Sequence, residues 1–222
     1  MRGSTMNGRV VIETGAKQTF ASAIDWPGWT RSARTEDDAI RALIAFGDRY
    51  VDIARLTEGD ATLPREVDLV IVDRQPGNST TDFGAPDVVH GMDHEPMTDE
   101  VCGRHLALLN ACWRLFDRVG QSVSPRMKKG PRGGGRDRDQ IIAHVIEADR
   151  TYARKIGVRT PPFDMSDRNA LMAHRRAVFA AIPELRNGNL ATDKGWPVRY
   201  AIRRMAWHIL DHAWEMQDKT LR

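Results

Sequence analysis

The sequence predicts an α+β protein in which a small N-terminal α/β unit, a β-meander plus one helix, is followed by four helices packed as a bundle. Three observations carry this reading. Short apolar stretches separated by turn residues fill the beginning of the chain. Four amphipathic segments of similar length, separated by Gly and Pro clusters, fill the end. Between them runs a stretch rich in Pro, Gly, Ser and Thr that has no periodicity. The expected organisation is an α/β unit over 1–75, a linker over 76–96 and a helical unit over 97–222.

Taken in order, RVVIETG, KQTFASAIDW and WTRSAR read as strands, the last two separated by a turn at Pro27-Gly28. Thr35 then supplies a cap residue and Glu36, Asp37 and Asp38 an acidic first turn. One helix is predicted from there to Leu56, with Ile40, Leu43, Ile44, Tyr50, Ile53 and Leu56 as its apolar positions at roughly helical intervals. EVDLVIVDR, with its Val/Leu/Ile centre, is a further strand over 66–74. The four later helices are placed at about 99–119, about 137–156, 166–182 ahead of Pro183, and about 197–219.

Composition narrows the function classes. Length suits two small domains, and 41% hydrophobic residues suffice for packed cores. The net charge of +3, from 33 basic and 30 acidic residues, is too small for a nucleic-acid-coating surface. No run approaches the roughly 18 to 20 apolar residues of a membrane span, and MRGSTMNGRVV lacks a secretory apolar stretch, so a cytoplasmic protein with no membrane partner is expected. MRGS also matches an expression-vector leader, in which case the natural start is Met6. Cys102 and Cys112 are the only cysteines and lack CxxC spacing, so any metal must be held by His and carboxylates.

WHILDH, in the last helix, sets His208 and His212 one turn apart. Stepping 100° per residue from His208, the core stripe from Val198 to Met216 covers about 20° to about 140°, and His212 falls near 40°. Both imidazoles point toward the bundle. His144 lies beside the stripe formed by Ile141, Val145, Ala148, Tyr152 and Ile156 on the second helix. Side chains four apart on a helix have Cβ atoms about 5 to 6 Å apart, so both rings can reach one cation. Three protein ligands leave a coordination position open for water or substrate. The competing reading is three hydrogen-bonded core histidines, and HxxxH without Glu after His208 is not the zinc-protease motif.

IIAHVIEAD and RMAWHILDHAWEM resemble the second and fourth helices of the DinB-like (YfiT-like) metal-dependent enzymes, which are four-helix bundles with a His on the second helix and HxxxH on the fourth. The resemblance spans about residues 97–222. It implies a divalent-metal site formed by His144, His208 and His212, and a thiol-dependent transferase or isomerase acting on a small electrophile. Zinc or nickel suits imidazole ligands best, and a low-molecular-weight thiol is the implied co-substrate. AIDWPGWTRSARTEDDAIRAL resembles HicB-like domains, which implies the alternative of a non-catalytic binding or regulatory protein.

Further residues have weaker expectations. Arg204 and Asp211 flank His208 and are the candidate catalytic residues, Asp211 to orient an imidazole or act as a base and Arg204 to hold an anionic substrate or thiol. Glu147 is a candidate fourth ligand with a solvent-facing alternative. His105 and His174 lie on core stripes, and His90 and His94 are expected to be solvated loop residues. PRMKKGPRGGGRDR lacks GxxxxGK[ST] and is expected to be a flexible charged loop. Tyr200, Trp207 and Trp214 recur every seven residues opposite the core stripe. That face is expected to pack against the N-terminal unit or to form a homodimer.

Overall fold

The computed structural model describes residues 8–57, 69–130 and 134–221. The MRGS start, the first residues of the strand expected from 66, and part of the Gly-rich loop lie outside them. Among the described residues the chain is mixed α+β, with a four-stranded sheet in the N-terminal part and seven α-helices, mostly in the C-terminal part.

The expected meander is present. β1 (Gly8–Thr14), β2 (Thr19–Ala23) and β3 (Thr30–Ala33) pair antiparallel in sequence order. β4 (Leu69–Pro76) adds beside β1 in parallel, giving the order β3-β2-β1-β4. Its apolar centre suggests a buried strand, but β4 is an edge strand with Val70 and Val72 exposed. The helix expected from Thr35 forms, and the Thr35 hydroxyl accepts from the Asp38 amide at 3.2 Å. It is nevertheless two helices, α1 (Glu36–Ala45) and α2 (Gly47–Arg55), divided at Phe46. There the Phe46 ring turns against Trp214, and a Cβ on Gly47 would come within 3.3 Å of the Trp29 ring.

The 76–96 stretch is more ordered than its composition suggests. It carries α3 (Ser79–Phe83), capped by Asn78, and a 3-10 turn at Gly91–His94. Glu13 of β1 is buried and accepts from the amides of Asp87 and Val88, at 2.9 to 3.0 Å, and from the Thr81 hydroxyl. His90 was expected in solvent, but it is buried with its Nδ1 2.8 Å from Asp73, because the 3-10 turn packs onto the sheet edge and the last helix. His94 is exposed as expected.

The four later helices are α4 (Asp99–Ser122), α5 (Arg138–Arg154), α6 (Arg168–Glu184) and α7 (Val198–Lys219). α6 runs two residues past its predicted end, with Pro183 inside its final turn. α4 and α5 both pack on α7 and on α6. One hydrophobic core runs from Val10 and Ile12 of the sheet through Leu108 and Ile141 to Ile209 and Met216. α7 is the axis of that core, since the helices cover one side and the N-terminal unit the other.

Aromatic rings and one glycine form the apolar part of the contact between the two halves. Phe20 of β2 meets Trp207 edge-on at 6.0 Å, and Phe46 meets Trp214 at 5.5 Å. Gly28, in the WPGW turn, has φ +95°, and a Cβ there would lie 2.7 Å from Leu210 of α7. Tyr200, Trp207 and Trp214 are 1%, 6% and 3% exposed. The three rings are buried within the chain, Trp207 against Phe20 and Trp214 against Phe46 of the N-terminal half, which is the first of the two packings expected for them.

Candidate metal centre

α7 is cationic and aromatic as well as apolar, and its polar side chains separate by direction. Arg203 points to the 3-10 turn and donates from Nε and Nη2 to both oxygens of Asp93, at 2.8 and 2.7 Å, with a further bond to the Val88 carbonyl. One position later the direction changes. Arg204, His208 and His212 follow at four-residue spacing on the stripe that faces α5.

His144 of α5 meets this stripe. Its ring centre is 5.0 Å from those of both His208 and His212, which are 4.6 Å from each other. One nitrogen from each of the three rings lies within 4.8 Å of the others. The His208 and His144 Nε2 atoms are 3.2 Å apart. Two nitrogens bound tetrahedrally to one zinc ion at about 2.0 to 2.1 Å are separated by roughly 3.3 Å, so this pair already has ligand spacing, with the third ring's nitrogen within 4.8 Å of both.

The electrostatics favour neutral rings at His208 and His144. Burial, then the neighbouring His212 and His144, push the His208 imidazole down to about 2. Burial and the charge of His212 lower His144 as well. Neutral imidazole is the form that binds a cation. Glu215, one turn after His212, accepts from its Nδ1 at 2.7 Å. A carboxylate can only accept, so Nδ1 carries the proton and the Nε2 lone pair is left for a ligand bond. The hydrogen bonds from His212 and Lys219 hold the Glu215 carboxyl at about 2.

The sequence brought the three imidazoles together correctly but misassigned their support. Asp211, expected to orient an imidazole, instead accepts from Arg31 of β3 at 3.3 Å. The orienting carboxylate is Glu215, whose signal was its three-residue spacing from His212. Glu147 is exposed and pairs with Arg150, away from the three rings. His105 is 1% exposed with neither ring nitrogen hydrogen-bonded, and its imidazole is pushed down to about 3 by burial and by Arg104 and Arg199. His174 contacts Thr160 and Asp149 instead of the site. Tyr152, read as a core residue, forms a wall of the site with its ring 5.7 Å from His208.

The described parts of the basic loop are tied to the end of α7. The Lys128 amide bonds the Lys219 carbonyl at 2.7 Å, and Lys129 pairs with Asp137 at the start of α5. Exposed Arg136 is near enough for its charge to lower both His144 and His208. A separate cavity of about 690 Å³ lies between α4 and α6, lined by Trp113, Met172 and Phe179, and none of the three imidazoles borders it. No helix of the described residues is long and apolar enough to cross a membrane. No family model, curated protein or solved structure matches the chain.

Proposed function

We propose that this protein is a metal-dependent enzyme of the DinB-like type, its α4–α7 helices acting as the four-helix bundle, with a divalent ion on His144, His208 and His212. The observation that carries the reading is the meeting of three imidazoles from two helices, with ligand atoms within 4.8 Å. Zinc and nickel are the ions this donor set suits best. Such an ion supplies Lewis acidity and makes a coordinated water or thiol more acidic.

The chain's own residues prepare that chemistry. Burial keeps His208 neutral, Glu215 fixes the His212 ring, and the Tyr152 and Trp207 rings shield one side of His208 from water. Both cysteines are buried, and burial raises the thiol pKa of each. A thiol reactant therefore comes from outside the chain, which fits a transferase or isomerase that uses a low-molecular-weight thiol on a small electrophile. Elemental analysis of untagged protein beside His208→Ala tests the centre. About one equivalent of transition metal, lost in the folded variant, supports it, and a folded wild type that takes up none after incubation with zinc or nickel rejects it.

A further inference from the structure

Arg204 is 5% exposed, yet its Nε and Nη1 are buried without a hydrogen-bond partner. Its guanidinium carbon lies 5.2 Å from the centre of the Tyr152 ring and 4.7 Å from that of Trp207. These rings attract the cation through their faces and accept none of its N–H bonds. A buried charged donor left unpaired costs more stability than a neutral one does. The neighbouring Arg203 shows how the fold satisfies an arginine it uses as structure, with Asp93 on two nitrogens.

The same two rings border the imidazoles. Tyr152 is 5.7 Å and Trp207 6.0 Å from the His208 ring centre, and Arg204 sits one helical turn before His208. With its carbon over the two rings, the guanidinium keeps Nε and Nη1 unanswered inside the fold, and two parallel N–H bonds of that group match a planar carboxylate. We propose that Arg204, walled by Tyr152 and Trp207, is the carboxylate-binding subsite beside the three histidines, so that the small-molecule substrate carries a carboxylate. This rests on the metal-centre reading for its place in the reaction, but not for the binding itself.

The test is isothermal titration of succinate, with sulfate as a tetrahedral control, into untagged full-length protein, both zinc-free and zinc-loaded. Carboxylates also ligate zinc, so the zinc-free arm isolates Arg204. Expected is succinate binding in both forms, weaker sulfate binding, and a loss of about tenfold or more in Arg204→Met, while that variant's zinc content matches wild type. Arg204→Lys, which keeps the charge and loses the two-pronged edge, should fall between them and serves alone should Arg204→Met not fold. No succinate binding by wild type up to about 50 mM, equal affinity in the variants, or sulfate as tight as succinate overturns the proposal. Protein that takes up no zinc but binds succinate through Arg204 overturns the metal centre and leaves this subsite standing.

Discussion

Arg203 and Arg204 are consecutive on α7 and almost equally buried, at 4% and 5% exposure, but one is bonded to Asp93 and Val88 and the other has two nitrogens, Nε and Nη1, with no hydrogen-bond acceptor among the described residues. The first closes the 3-10 turn onto the helix. The second faces the imidazoles. A helix that serves as the core's axis thus carries a structural side, where buried charge is answered inside the fold, and a side that we propose is functional, where two nitrogens of a buried arginine are left unanswered. The difference predicts opposite responses to mutation on the two sides.

The largest effect belongs to the structural side. Asp93→Ala leaves Arg203 as a buried uncompensated charge and removes the acceptor of the His90 amide, so about 3 to 5 kcal/mol of stability should be lost. Urea unfolding measures it. A loss under about 1 kcal/mol would erase the distinction between the two arginines.

Acid should expose the next effect, in zinc-free protein. His208 and His105 are held down to about 2 and about 3 in the fold, against an ordinary value near 6.5. Below pH 6.5 the unfolded chain takes up protons that the folded chain refuses, so stability is fully present above that pH and falls as pH drops, by up to about 1.4 kcal/mol per pH unit for each group. His105→Leu should flatten the decline between pH 6 and 4.5. An unchanged slope would show that another group governs it.

Glu215→Ala sharpens the functional side, because it frees the His212 ring without touching a ligand atom. Zinc affinity should fall about 10- to 100-fold with stoichiometry unchanged at saturation. Affinity within about twofold of wild type would mean that Glu215 is only a surface partner of Lys219. Arg204→Met should do the reverse of Asp93→Ala in thermal unfolding, giving between no change and a gain of about 2 kcal/mol, since a buried unpaired charge is replaced by an apolar chain. A loss like that of Asp93→Ala would mark Arg204 as structural. The smallest effect is Asp211→Asn, which should alter zinc binding not at all and stability by under about 1 kcal/mol, because the pair with Arg31 is half-exposed.

What the sequence made legible is what depends on near neighbours. The meander, the long helices and the convergence of His208 and His212 follow from periods of two and of 3.6, and the order of elements agrees with them. Interactions between distant segments were not legible. The burial of His90 depends on Asp73 across the sheet edge, and that of Asp93 on Arg203, 110 residues away. The break at Phe46 depends on Trp214, and the edge position of β4 on parallel pairing with β1. In the site, Glu215 lay within reach of a spacing argument. Tyr152 did not, because an aromatic on a core stripe looks the same whether it fills the core or walls a site.

The most direct measurement of the central claim is zinc titration of untagged protein beside His144→Ala, since His144 is the ligand we propose from a second helix. One equivalent bound by wild type, with affinity lost in a variant that keeps its fold, is the predicted result. Equal zinc binding by both, or none by a folded wild type, would contradict a centre built by α5 and α7 together.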